Sequence, residues 1–214
     1  MSQSQVVLCA AKRTAIGAYD GSLKDIVAPQ LGSIAIREAL ASAKIKGDAI
    51  QGVVMGQVVQ AGAKMNPARQ AAIKADLPAD VPAMTVNRVC GSGAQAIISA
   101  AQEVMLGWSQ AVVAGGMENM DQAPYLVGGG RWGYRMGDAQ IYDSMLRDGL
   151  NDAFCDQHSG WVTEDLVTNM KITREVQDAW ALRSQQRFSA AQAAGKVAAE
   201  IVPVEIVGRK GATV

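Results

Sequence analysis

The sequence predicts an α/β fold, a largely parallel sheet covered by helices, and three observations predict it. Short Val-rich apolar runs alternate with longer segments whose apolar residues recur at helical spacing, as in successive βα units. Gly, Asn and Pro punctuate the junctions, with 22 glycines along the 214 residues. A hydrophobic share of 49% against a charged share of 19% suits a globular enzyme with one substantial core.

The elements follow in order. Residues 6–10 read as a short buried strand, with Cys9 inside it, and residues 29–43 as a helix. Residues 52–59 form a second strand, rich in Val. A helix over 66–75 has Asn66 placed to cap it and Pro67 at its first position. Residues 83–89 are a third strand. The helix over 92–106 presents Ala94, Ile97, Ile98, Ala101, Val104 and Met105 as one apolar face. Residues 111–114 are a fourth strand, ended by Gly115 and Gly116. The pattern then lapses: 119–148, with GGGRWGYRMG, reads as an extended loop region. Helical spacing returns over 173–194, with Thr173 as N-cap, Glu175 in the first turn and Gly195 as the stop. Residues 200–207 read as a strand and 208–211 as a turn.

Charge excludes some functions. Twenty Lys and Arg balance twenty Asp and Glu, and aromatic residues are 5%, so neither a basic surface nor a stacking platform for nucleic acid is expected. There is no apolar run long enough to span a membrane and no signal-peptide pattern at the start. Three cysteines, Cys9, Cys90 and Cys155, are an odd set at irregular spacing, which describes no disulfide framework. Reduced thiols and a cytoplasmic location are the corresponding expectation. With one histidine and no CxxC, no metal site is expected.

The chemistry concentrates at residues 86–97, VNRVCGSGAQAI. An apolar strand runs into Cys90, and Gly91-Ser92-Gly93 opens a helix. Partial positive charge at a helix start favours a thiolate, which is the nucleophilic form of cysteine. Backbone N–H groups there can hold a developing oxyanion. Most free cysteines are small hydrophobes, and Cys9 and Cys155 keep that plainer reading. A second reading competes: Gly91-x-Gly93-x-x-Ala96 fits the dinucleotide fingerprint, with Glu118 following the next strand as a ribose ligand. Against it, the motif falls in the third βα unit and a cysteine occupies the strand exit.

VNRVCGSGAQAI, followed by AVVAGGMENMDQAPY at 111–125, resembles the thiolases, acetyl-CoA acetyltransferases and 3-ketoacyl-CoA thiolases. AAKRTAIGAYDGSLKD, NPARQAA, RWGYRMGD, DGLNDAF and EIVPVEIVGRKG extend the resemblance along the chain. It implies a layered αβαβα core of two similar halves, of which residues 1–118 supply the first. Residues 119–214 would be part of an inserted loop domain.

The resemblance implies Cys90 as the acylated nucleophile and places Leu150 and His158 beside the pantetheine arm of coenzyme A. Ser159 stands where biosynthetic relatives usually have Met, and Val162-Thr163-Glu164 replaces Thr-Ala-Glu, so the acyl-chain preference is open. Two acetyl-CoA would condense to acetoacetyl-CoA and coenzyme A, or the reverse, by ping-pong transfer with no metal or redox cofactor. A degradative thiolase acting on longer chains is the nearest alternative, and a non-catalytic module with this half-fold the most distant. The resemblance further implies a homodimer or homotetramer, and a longer protein whose second half carries a glycine-flanked His and a base-acting Cys. Met117, Met120, Met136 and Met145 are expected to pack between loop and core. Arg131, Arg135, Arg209 and Lys210 are candidates for coenzyme A phosphates, with solvated surface as their plainer role.

Overall fold

A computed structural model describes residues 5–208 and 211–213. Strand pairing begins later than the sequence suggests. Residues 6–10 are not a strand: Ala10 takes a positive φ of 53°, which breaks the extended backbone. Val7, Leu8 and Cys9 are exposed. Pairing starts at β1 (Arg13–Thr14). Helix α1 (Ala28–Ala43) follows, with Pro29 in its first turn.

Strand β2 (Gly52–Gly56) is buried along its whole length. Helix α2 (Pro67–Lys74) is capped by Asn66, whose side chain accepts a hydrogen bond from the Arg69 N–H. Asn66 itself sits at φ 43°, a region that Asn tolerates better than most residues. Strand β3 (Ala83–Val86), helix α3 (Ser92–Met105) and strand β4 (Val112–Gly116) complete the unit.

The three strands form one parallel sheet in the order β3-β2-β4, with Gly56 opposite both Val86 and Gly116. Side chains alternate across β2. Val53 and Met55 join Ala28, Ile36, Ala68 and Ala71 of α1 and α2, while Val54 meets Ala96 and Ala100 of α3. The sheet is thus covered on both faces, as parallel sheets require.

The face that α3 turns to the sheet is not the predicted one. Ser92, Ala96 and Ala100 are buried there, whereas Ile97, Ile98 and Met105 are exposed. Close approach to glycine-containing strands selects small side chains at i, i+4 spacing, so the larger apolar residues are turned outward.

Beyond β4 the segment read as loop contains an antiparallel pair, β5 (Tyr125–Val127) and β6 (Ile141–Asp143), with Leu126 opposite Tyr142. The fully buried Ser144 donates to the Pro124 carbonyl at 2.5 Å and closes its base. Two long helices follow, α4 (Ser159–Asn169) and α5 (Arg174–Ala193), neither with a buried residue. Thr173 caps α5 as expected, accepting from the Val176 N–H, and Gly195 follows at φ 69°.

Pro203 splits the last predicted strand into β7 (Ile201–Val202) and β8 (Ile206–Gly208). Strand β7 pairs in parallel with β1, and β8 pairs antiparallel with β9 (Gly211–Thr213). Arg209 and Lys210, between them in sequence, and with them the turn expected over 208–211, lie outside the described residues. Among the described residues no helix is long and apolar enough to cross a membrane.

Candidate active site at the start of helix α3

The carboxyl ends of β2, β3 and β4 meet the N-terminus of α3, the crevice where parallel α/β sheets carry their chemistry. Glycines bring them together. A Cβ on Gly56 would stand 2.5 Å from the Ser92 carbonyl carbon, and one on Gly116 would stand 3.1 Å from the Gly93 Cα. Gly93, one of the glycines of the dinucleotide fingerprint, therefore sits at the helix-to-sheet contact, where the glycines that close approach requires are Gly56 and Gly116.

Cys90 is exposed, two residues before α3, with Gly91 at the helix cap. The residue before it, Val89, has φ 48°. A β-branched residue in the left-handed region costs about 1–3 kcal/mol and persists only where its surroundings hold it. Here the surroundings are polar and specific. The buried Ser92 hydroxyl donates to the Val89 carbonyl at 2.6 Å and accepts the Arg88 N–H at 2.8 Å. The Asn87 side-chain Oδ1 accepts the Val89 N–H at 2.9 Å. The Gly91 and Ser92 N–H groups donate to the carbonyls of Arg88 and Val89, so the turn closes immediately ahead of the helix. Cys90 is thereby set at the surface, immediately ahead of the α3 N-terminus. Backbone N–H groups at such a helix start can hold an oxyanion that develops on attack at a carbonyl.

Glu118 faces the same sheet edge from β4. Its Oε2 accepts the Val58 N–H at 2.7 Å and the Val59 N–H at 3.4 Å, while Oε1 is buried without a partner among the described residues. Burial pushes its carboxyl above the usual range, against the lowering effect of the two N–H bonds. A carboxylate committed to these backbone groups is not presented to a ribose. Asn119 fixes the next residue, donating to the Leu23 and Ile26 carbonyls at 3.1 and 2.6 Å. A cavity of about 500 Å³ opens beside it, lined by Lys12, Thr14, Tyr19, Leu31, Met117 and Asp121 among others. Cys90 is not in its wall.

The other expected site residues form a second group. Leu150 ends a π-helical turn, Leu146–Leu150, and Asn151 bridges to His158. His158 caps α4, its Nδ1 accepting the Gly160 N–H at 3.0 Å, and Ser159 is the first residue of that helix, exposed. Gly149 lies against Val59 and Met120, so this group is tied to the end of β2. Among the described residues none of the three hydrogen-bonds to Cys90.

Met117 is buried in the core, as expected for packing, but Met136 is almost wholly exposed. Arg131 and Arg135 are exposed. Cys155 is exposed too, on a turn where Asp152 accepts the Phe154 and Cys155 N–H groups at 2.9 and 3.0 Å. Asn87 and Ser92, the two side chains that hold the Cys90 turn, were not singled out by the sequence reading. The signal available was their polar character on either side of Cys90, at an apolar strand's exit.

Among the described residues no group of three or more His, Cys, Asp and Glu is gathered to hold a metal ion. The family model described as thiolase, N-terminal domain, matches residues 6–214. An acetyl-CoA acetyltransferase of Cupriavidus necator is 51% identical over 208 residues, 97% of this chain and 53% of that protein. One from Pseudomonas aeruginosa is 50% identical over 206 residues, 96% of this chain and 52% of that protein. One from Escherichia coli is 48% identical over 205 residues, 95% and 52%. The chain spans about half the length of the curated relatives it matches. The comparisons favour acyl transfer over the dinucleotide reading.

Proposed function

The chain belongs to the thiolase family, and from that we propose that the protein carrying it is an acetyl-CoA acetyltransferase in which Cys90 is the acylated nucleophile. The observation that carries the reading is the strained elbow at Val89, which sets an exposed thiol at the start of α3. Strain of this kind, held by three side-chain hydrogen bonds, is what a functional turn retains.

The reaction runs in two halves. The Cys90 thiolate attacks the carbonyl carbon of acetyl-CoA, the oxyanion leans on helix-start N–H groups, and coenzyme A leaves as the C–S bond breaks. A carbanion formed by removing a proton from the methyl of a second acetyl-CoA then attacks the acetyl-enzyme. Acetoacetyl-CoA forms and Cys90 is freed. The base for that proton is assigned to the part of the protein beyond this chain, where the family resemblance puts its second Cys and its His. Cleavage of acetoacetyl-CoA by coenzyme A is the same path reversed. The chemistry uses acetyl-CoA, acetoacetyl-CoA and coenzyme A, with no metal or redox cofactor.

In this reading residues 1–118 are the first half of the core and 119–214 belong to the loop domain. Leu150, His158 and Ser159 flank the acyl and pantetheine arms; their tie to the end of β2 through Gly149 and Val59 supports this. The complete protein is a homodimer or homotetramer, and it acts in the cytoplasm, in lipid metabolism.

Intact-mass spectrometry tests the assignment. After brief exposure to acetyl-CoA the full-length protein should carry one acetyl group, mapped to Cys90, and Cys90→Ala none. Acetylation elsewhere, or none, would overturn it.

A further inference from the structure

The turn that carries Cys90 is not held by its own segment alone. Strand pairing stops at Gly56 on β2 and at Val86 on β3, so the backbone groups of Val58, beyond both ends, need side-chain partners. They find them just past the ends of two different strands. The Val58 N–H donates to Glu118 Oε2 at 2.7 Å, on the β4 side. The Val58 carbonyl accepts from Asn87 Nδ2 at 3.3 Å, on the β3 side. Asn87 Oδ1 in turn accepts the N–H of Val89, the strained residue next to Cys90, at 2.9 Å.

We propose that Asn87 and Glu118 are positioning residues for the Cys90 thiol, acting in series through the backbone of Val58. The proposal rests on Cys90 as the acylated nucleophile and names what holds it in place. Geometry favours a series over two independent contacts, because Val58 is strung between the two side chains and each bonds a different one of its backbone groups. Glu118 also leaves one buried oxygen without a partner among the described residues.

The test uses the full-length protein and reads the rate of Cys90 acetylation by acetyl-CoA, with alkylation of Cys9 and Cys155 as internal controls. Asn87→Ala should slow acetylation roughly tenfold to a hundredfold, the scale on which misplacing a reacting group acts. Glu118→Ala should slow it less. The double variant should be no slower than Asn87→Ala, because removing Asn87 already cuts the series. Asn87→Asp, which keeps the acceptor for Val89, should recover part of the loss. Controls at Cys9 and Cys155 should not move. Rates within twofold of the parent in all variants, or losses that multiply in the double variant, would overturn the proposal. Should the alanine variants fail to fold, Asn87→Asp and Glu118→Gln carry the same comparison. If the parent itself is not acetylated at Cys90, the acyl-transfer reading falls instead, and iodoacetamide rates at Cys90 across the same variants still decide the positioning.

Discussion

Gly56 and Ser92 meet backbone to backbone: a Cβ on Gly56 would stand 2.5 Å from the Ser92 carbonyl carbon and 2.7 Å from the Gly93 nitrogen. No side chain can yield there, since the atoms in the way belong to the main chain that opens α3. Gly56→Ala should therefore cost about 1–3 kcal/mol or more of stability. Gly107→Ala serves as the comparison, because nothing lies within 4 Å of its added Cβ and only its φ of 74° opposes the change. Urea unfolding of the two variants should show the larger shift at Gly56.

Ser92→Ala removes a buried hydroxyl that both donates to Val89 and accepts from Arg88. Leaving those backbone groups short of partners should cost about 1–3 kcal/mol. Cys90 acetylation should slow in the same variant, since Val89 loses one of its restraints. Unfolding free energy and acetylation rate, measured on one preparation, check both.

Exposure does not separate the three thiols, because Cys9, Cys90 and Cys155 are all exposed. Differences in iodoacetamide labelling then report reactivity rather than access. Position at the start of α3 should make Cys90 fastest by roughly tenfold. Peptide mapping after timed labelling measures it, and equal rates would remove the basis for choosing Cys90.

Glu118 and Asp152 should pull stability in opposite directions with pH. Burial raises the Glu118 carboxyl, so the folded chain holds that proton more tightly than the unfolded one. Its stabilising contribution is present in acid and is lost as pH rises through the folded value. Asp152 is lowered by the N–H groups of Cys155 and Phe154, so its contribution is present above the unfolded value and lost as pH falls through the folded one. Thermal midpoints of the parent and Glu118→Gln should differ most in the parent's favour at acid pH. Parent and Asp152→Asn should differ most in the parent's favour near neutrality.

Asn66→Ala should cost about 1–2 kcal/mol and Asn66→Gly less. The side chain accepts from the Arg69 N–H and Thr85 hydroxyl and donates to the Ala83 carbonyl, while its φ of 43° suits glycine better than alanine. Denaturant midpoints of the two variants should rank in that order.

The sheet, its helices and the Cys90 turn were legible in the sequence because each rests on local signals: Val runs, Asn66 before Pro67, Thr173 before Glu175, and a cysteine before Gly-Ser-Gly. What escaped depends on distant partners. The inward face of α3 is chosen by Gly56 and Gly116, not by the helix's own apolar residues. The β5–β6 pair joins segments of weak periodicity through register alone. The hold on Cys90 is invisible for the same reason, since Glu118 reaches Val58 across 60 residues and Asn87 reaches it across 29.

Those separations bear on how the molecule comes into being. A growing chain presents β2, β3 and the cysteine before β4 exists, and the contacts that set the Val89 elbow lie within residues 87–92, whereas the bonds from Asn87 and Glu118 to Val58 close loops of 29 and 60 residues. The elbow can thus close within its own segment, and its tie through Val58 to the β4 side is the last to be made.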